Sequence, residues 1–457
     1  MKTILILSGL SLLTLVSEIL NFKKIILSLI LIGLAVAFVV NLQDWNTNIS
    51  YYNNMIRVDN FAVAFSGILI FITFLWFIHS EYYFRDRFDT KSDKYSLILF
   101  SLIGGVVLTS YSNLVMLFLG IEILSIPVYI LAGSRKTELA SNEAAMKYFL
   151  MGAFATGILL FGVALVYGVS GTFHLEGISK YLSESATIDS IFYIGAGMMI
   201  IGLAFKVSAV PFHFWTPDVY QGAPTIITTF MASVVKTAAF AALLRLFIHS
   251  FSSVSAQFST ALAVMAALTI LVGNITAVYQ DNIKRMLAYS SIAHAGYMLL
   301  ALVSLNQLSA SSIMLYAVAY SINTIASFTV LYIILKDKGS DDLTAFRGLA
   351  KSNPLITVIT IISMLSLAGI PPTAGFFAKY YIFSAAIAEG HVVLVLIAVL
   401  GSLIGVYYYF KVIIAMFQPA TIDEKLSTTG GFNILLMLTT LIVVLLGIFP
   451  NLFIGLV

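Results

Sequence analysis

Four ionisable side chains, Glu122, Lys206, Lys236 and Lys379, stand inside stretches otherwise apolar enough to cross a lipid bilayer. An ionisable group near the bilayer centre costs about 2.5–3.5 kcal/mol on insertion scales, so four unpaired ones would cost on the order of 10 kcal/mol. The chemistry that justifies such a cost is ion or proton movement, because a buried lysine or glutamate changes protonation when its surroundings shift. Lys236 sits about mid-span within Ile226–Phe240, far from either interface. Glu122 follows Leu119-Gly120 and precedes Ile123 to Pro127, a depth at which a carboxylate is tolerated mainly when paired or hydrogen-bonded. Lys411, Arg245 and Lys147 lie nearer span ends and read as basic side chains that snorkel to the interface.

The histidines divide. His294, in Tyr289-Ser290-Ser291-Ile292-Ala293-His294-Ala295-Gly296-Tyr297, lies within a span among small and hydroxylic residues that can hold water. An imidazole titrates near neutral pH and suits a proton relay. A satisfied packing histidine is the alternative, since the same small residues suit close helix packing. His213, beside Pro211, is a weaker case of the same kind. His79, His174, His249 and His391 fall at span edges or in loops and read as incidental.

These residues need helices to hold them, and the composition supplies little else. Hydrophobic residues make up 60% of the chain and charged residues 10%, with 34 Phe and 23 Tyr spread throughout. Soluble domains carry about 25% charged residues, so this is a polytopic helical membrane protein. The absence of Cys removes thiolate ligation of iron–sulfur clusters and thiol catalysis within the chain. Apolar runs of about 17–25 residues predict about fourteen spans, near 3–21, 25–42, 58–80, 95–110, 112–132, 144–170, 188–210, 223–249, 256–280, 282–303, 309–335, 353–388, 392–417 and 432–455. The first resembles a secretory signal, yet Ser17-Glu18-Ile19 offers no small-residue cleavage site, so a retained helix is expected.

Loop charges set the expected orientation. Lys23, Lys24, Arg85, Arg87, Lys91, Lys94, Arg135, Lys136, Lys284, Arg285, Lys336, Lys338, Arg347, Lys351 and Lys425 fall on alternate loops that share one face, which is then cytoplasmic. The other loops carry little beyond Lys2, Arg57 and Lys180, which places both termini on the outer side. Without a long soluble insertion, nucleotide, flavin or cluster chemistry must belong to a partner.

The spans carry an internal echo. Lys206 to Pro211 precedes Phe212 to Pro217 in the seventh, and Gly369-Ile370-Pro371-Pro372 precedes Thr373 to Lys379 in the twelfth. Each is an apolar helix interrupted by Pro near its middle, with a Lys close to the break. Proline removes a backbone donor and clashes with the preceding turn, so both helices should be kinked or split. The breaks are 160 positions apart, and five spans separate corresponding elements. A contiguous repeat with an odd number of spans inserts its second copy upside down, and paired broken helices in such repeats point to a site near the membrane midplane.

Four segments carry a family resemblance: GIEILSIP at 120–127, GLAFKVSAVPFHFWTPDVYQGAP at 202–224, NIKRMLAYSSIAH at 282–294, and LSLAGIPPTAGFFAK at 365–379. They closely resemble the antiporter-like N-type subunits of bacterial NADH:quinone oxidoreductase, respiratory complex I, over nearly the whole chain. The first three helices match only in number and hydropathy. The resemblance implies an all-α fold of fourteen transmembrane helices, with a three-helix segment at 1–94, two inverted five-helix repeats at 95–250 and 251–417, and a final helix at 418–457. It further implies that Glu122 is the carboxylate partner of Lys206, that Lys236 links two half-channels, and that Lys379 is the terminal lysine. A carboxylate close by favours the charged ammonium, and its withdrawal in a dry site favours proton release. No cofactor or metal site is expected in this chain. NADH, FMN, iron–sulfur clusters and quinone would lie on other subunits, with M-, K-, J- and A-type neighbours in a bacterial cytoplasmic membrane and no nucleic acid partner.

Other readings share parts of this pattern. Subunits of multisubunit sodium/proton antiporters and L- and M-type subunits of complex I have the broken helices and the Glu/Lys pair. The chain stops soon after its fourteenth span, against the L type with its lateral helix, and Lys379 stands where M types typically carry Glu. A stand-alone secondary transporter would need a roomy solute cavity with specific polar contacts at the breaks.

Overall fold

The computed structural model describes all residues except 18, 20–24, 86–90, 186, 421–424, 429, 454 and 456–457. Lys23, Lys24 and Arg87, which entered the loop-charge reading, and Glu18, which entered the signal reading, lie outside the described residues.

The chain begins with α1 (Lys2–Val16) and α2 (Ile26–Gln43), followed by a short hairpin, β1 (Ile49–Tyr51) and β2 (Ile56–Val58), paired with Ile49 opposite Val58. The hairpin was not anticipated: it falls in a polar loop, where Tyr52, Asn53 and Asn54 turn the chain in the left-handed region. Helices α3 (Asn60–Arg85), α4 (Lys91–Ser110), α5 (Leu114–Ala132) and α6 (Leu139–Ser170) come next, then a short α7 (Leu175–Glu184). The first broken span is α8 (Ser190–Val207) and α9 (Trp215–Gly222). The next span is α10 (Thr225–Phe230), a π-helical segment Met231–Val235, and α11 (Lys236–His249). Then follow α12 (Ser255–Val278), α13 (Ile283–Val303), α14 (Ser309–Lys338), the short α15 (Leu349–Ser352), the second broken span α16 (Pro354–Ala368) and α17 (Ala374–Ala388), and finally α18 (Val392–Phe417) and α19 (Gly430–Ile448).

Among the described residues, twelve helices are long and apolar enough to cross a membrane, beside the shorter apolar α1, α16 and α17. The last two are halves of one interrupted span, which gives the expected number. The span expected at 188–210 ends as an α-helix at Val207, because Ser208 turns into the left-handed region with φ +66.

The chain divides into two compact units, one of Met1–Ser208 with Val234–Thr260, the other of Ala209–Ser233 with Ala261–Leu456. Within the first unit, glycines bring helix backbones together. A Cβ at Gly104 of α4 would strike the α5 backbone at Ile123 and Leu124, and one at Gly162 of α6 would strike α8 at Gly195 and Met199. In the second unit, Lys284 Nζ donates to the carbonyls of Gln221 and Ala223 at the end of α9, and Arg285 pairs with Asp218 at 2.8 Å. Lys284, read as a loop charge, is therefore buried as a helix C-cap, where a cation favours the negative end of the helix dipole.

Each unit contains the same local device. Asn113 caps α5 through its side chain, while Leu114 N–H donates to Phe173 O and Leu175 N–H to Ser112 O. Asn282 caps α13 likewise, while Ile283 N–H donates to Asp341 O and Leu343 N–H to Asp281 O, 168 or 169 positions further on. Both long helices before these returns end at a left-handed glycine, Gly171 after α6 and Gly339 after α14.

Candidate functional site

In the first unit, α5 carries Glu122 and α8 carries Lys206. Pro127 interrupts the hydrogen bonding of α5 one turn beyond Glu122, leaving a local irregularity beside the carboxylate. Glu122 is half-buried, and Lys206, 4% exposed, lies within its electrostatic reach. The Lys206 ammonium has no hydrogen-bond partner among the described residues. Two aromatic faces take that place: Nζ stands 5.1 Å from the centroid of Tyr129 and 5.3 Å from that of Tyr148. Such cation–π contacts favour a cation where water is scarce. The seat depends on Gly152, since a Cβ there would strike the Tyr129 hydroxyl. An ammonium held by aromatic faces and a carboxylate at arm's length is free to change its charge without breaking a direct ion pair.

Lys236 opens α11 where the π-helical segment ends. A π-turn widens the helix and shifts the register of its carbonyls, and such bulges occur often at functional sites. The lysine is 2% exposed, and residues 223–247 around it are all buried. Snorkelling is thereby closed to it.

Arg245, nine residues further along α11, corrects its sequence reading. It does not snorkel but is 1% exposed and holds the Asp59 carboxylate through both terminal nitrogens, at 3.1 and 2.9 Å. Its Nε donates to the Tyr111 carbonyl at 2.7 Å. Asp59 in turn accepts from the Ala62 N–H at the start of α3. Burial opposes ionisation of Asp59, but Arg245 outweighs it and holds the carboxyl below its ordinary value. The pair therefore ties the hairpin, α3 and α11 together. Lys147, by contrast, is paired with Glu143 one turn away on the surface of α6, and Lys411 with Asp281.

In the second unit, α17 carries Lys379 and α13 carries His294. The ammonium of Lys379 donates to Leu367 O at 3.2 Å, Ala368 O at 2.8 Å and Ser402 Oγ at 2.8 Å, so all three donors are used. The two carbonyls are the last of α16, exposed by the break, and they carry the negative end of that helix's dipole. No carboxylate is needed. The approach requires Gly369, whose φ is +85 and where a Cβ would lie 2.8 Å from Lys379 Cδ and 3.1 Å from Nζ. The ring of Tyr297 lies 4.9 Å from the same nitrogen.

His294 lies in a run of groups that can each donate and accept. Its Nδ1 is 2.6 Å from the Tyr316 hydroxyl and its Nε2 3.0 Å from that of Tyr409, which also bonds Ser290. Asn274 bonds the Tyr297 and Tyr408 hydroxyls at 3.1 and 3.0 Å. A neutral imidazole between two phenols passes a proton by accepting at one nitrogen and releasing at the other. His213, 6% exposed beside the first break, has an Nδ1 without a hydrogen-bond partner among the described residues. His79, read as an edge residue, is fully buried in α3. Sequence reasoning missed Tyr316, Tyr320 and Asn323, which fall on one face of α14 at helical spacing, and Ser402 and Tyr409 on α18. That spacing of polar groups in an apolar run was the available signal. No cluster of metal-ligating side chains occurs among the described residues.

An enclosed set of lysines, each in a membrane-spanning helix at a backbone break, a π-turn or beside aromatic faces, defines a helical membrane protein of the antiporter type. Residues 112–405 match the family described as NADH:quinone oxidoreductase/Mrp antiporter, transmembrane. Over 99% of this chain and 98% of the relative, the sequence is 46% identical to NADH-quinone oxidoreductase subunit N of Cytophaga hutchinsonii. It is 41% identical to the subunit of the same name in Flavobacterium johnsoniae, over 99% of each. A chain of Thermus thermophilus respiratory complex I with bound aureothin superposes with a TM-score of 0.83 at 33% identity, covering 98% of both. A chain of the Mrp complex from Dietzia superposes with a TM-score of 0.89 at 20% identity, covering 99% of this chain and 95% of that one, a likeness of fold alone. The chain belongs to the NADH:quinone oxidoreductase/Mrp antiporter membrane-subunit family.

Proposed function

We propose that this chain is the N-type membrane-arm subunit of a bacterial NADH:quinone oxidoreductase, a proton translocase in which quinone reduction elsewhere drives proton transfer through Glu122, Lys206, Lys236, His294 and Lys379. The observation that carries this reading is the burial of three lysines, Lys206, Lys236 and Lys379, in apolar helices where the backbone is broken, widened or lined by aromatic rings. The full-length identity to subunit N relatives supports the complex I assignment over a sodium/proton antiporter subunit. NADH, flavin, clusters and quinone then belong to partner subunits, and the membrane-arm neighbours cover part of the apolar surface.

Glu122 favours the charged form of Lys206, and withdrawing that carboxylate in a water-poor site favours release of the proton. Lys236 receives and passes it, and Lys379, held by helix carbonyls and Ser402, is the terminal station, with His294 and its tyrosines relaying protons in the second unit. The two runs 95–250 and 251–417 are read as inverted repeats, supported by the matching Asn caps and loop bridges. Both termini are placed on the outer side by the loop charges.

The test is the intact complex with Lys206→Met, Lys236→Met or Lys379→Met, reconstituted in proteoliposomes at equal complex content. Met keeps side-chain length and removes the titrating ammonium. Each variant should co-migrate with peripheral-arm subunits on native gels and lose proton pumping. Normal pumping in all three would overturn the route, and migration of the wild-type chain apart from peripheral-arm subunits would overturn the complex I assignment.

A further inference from the structure

The face read as cytoplasmic from its loop charges also carries a groove, between the start of α4 and the end of α5. It encloses about 670 Å³, within the usual span of ligand sites, and Lys94, Leu97, Ile130, Arg135, Lys136 and Glu138 lie on its wall. Membrane topology asks only that lysines and arginines be present on this face; it asks neither for a groove nor for a cation fixed in place.

Here one cation is fixed. Arg135 donates to the Tyr83 hydroxyl through Nε at 2.9 Å and through one terminal nitrogen at 2.7 Å, and its other terminal nitrogen pairs with Glu138 at 2.9 Å. Among the described residues these contacts use three of the five guanidinium hydrogens, which leaves one on each terminal nitrogen. Lys136 is exposed beside it, and Lys94, half-buried, lies within electrostatic reach of Lys136. Three cations face two carboxylates on this wall: Glu138 is committed to Arg135, and Asp93 stands in the first turn of α4, where the helix N-terminus favours a negative charge. The groove is therefore net positive. Away from the charges its wall turns apolar. Ile130, 57% exposed, is followed one turn further into α5 by Ile126, 47% exposed on the same face.

We propose that this groove binds one anionic phospholipid, its phosphate held by Arg135, Lys136 and Lys94 and an acyl chain lying along Ile130 and Ile126. Basic pockets between membrane helices on the cytoplasmic side suit such headgroups. A soluble anion would use the charges and leave the aliphatic strip unused, whereas a phospholipid matches both the charges and the strip that leads from them into the span. The proposal needs only that the chain crosses a membrane, and it stands apart from the proton route.

The experiment is electron cryomicroscopy of the intact complex in nanodiscs that mix phosphatidylglycerol carrying brominated acyl chains with unbrominated phosphatidylcholine, set beside the reciprocal mixture. Wild type should show headgroup density against Arg135 and bromine density beside Ile130 and Ile126 in the first mixture, and much weaker bromine density there in the second. In Lys136→Gln and in Lys94→Gln, the proportion of phosphatidylglycerol needed for half-occupancy should rise about fivefold, the factor expected for one cation at a membrane surface. Lys136→Arg, which keeps the charge, should bind as wild type does, and so should Lys180→Gln, on the opposite face. Equal bromine density in the two mixtures, or unchanged occupancy in both glutamine variants, would overturn the proposal. So would headgroup density without bromine density, which marks a soluble anion, or a segment of protein filling the groove, which marks an acidic partner.

Discussion

Gly369→Ala should unseat Lys379 without replacing any titratable group. The added methyl would lie 2.8 Å from Lys379 Cδ and 3.1 Å from Nζ, inside the contact distance of both. It would also force alanine into the left-handed region, since Gly369 has φ +85, at about 1–2 kcal/mol. Relief requires either the backbone or the lysine to move. If the lysine moves, it leaves the Leu367 and Ala368 carbonyls, and each hydrogen bond to a charged group contributes about 1.5–3 kcal/mol. Retaining Ser402 and one carbonyl limits the loss to about 1.5 kcal/mol, which is about tenfold in the population of correctly seated ammonium. The assay is NADH-driven proton uptake into inverted membrane vesicles, normalised to assembled complex on native gels. Pumping should fall about tenfold while assembly is kept. Wild-type pumping by Gly369→Ala at full assembly would show that the helix-end carbonyls do not hold the lysine in its working position.

Three further outcomes are expected. Glu122→Gln should slow coupled turnover, and Glu122→Asp should slow it less because the charge is kept; equal pumping by wild type and the Gln variant in proteoliposomes would remove the carboxylate from the mechanism. Lys236→Arg should assemble yet fail to rescue pumping, because guanidinium stays protonated under any plausible shift; a fully active Arg variant would make Lys236 a packing charge. Asp59→Asn should leave Arg245 buried without its counter-charge and destabilise the first unit by about 3–5 kcal/mol, read as lost complex on thermal challenge. The Asp59 carboxyl titrates lower when folded than when unfolded, so its contribution is present above the ordinary carboxyl range and is lost as pH falls through the depressed folded value. Thermal stability of wild type should accordingly fall on acidification more than that of Asp59→Asn, and parallel acid profiles would refute the pair's role.

The sequence by itself determined the class of the protein and the chemistry in question. Spans are legible because lipid demands long uninterrupted apolar runs, and Glu122, Lys206, Lys236 and Lys379 stand out against them because burial of an unpaired charge is costly enough to be rare. The helix breaks are legible at Pro211 and Pro371-Pro372, since proline removes a backbone donor wherever it stands. Which group satisfies each buried charge was decided by tertiary structure. Lys206 faces Tyr129 and Tyr148, Lys379 meets Leu367 O, Ala368 O and Ser402, and Arg245 finds Asp59, distant in sequence. Nothing in the apolar run around Arg245 distinguishes a snorkelling cation from a paired one, because the partner comes from the turn before α3, 186 positions away. The π-turn before Lys236 and the enclosure of Tyr316, Asn323 and Tyr409 are likewise products of packing: a local sequence sets which helices form, but how close they approach, and which polar atoms that approach leaves inside, depends on glycines and side chains from several helices at once.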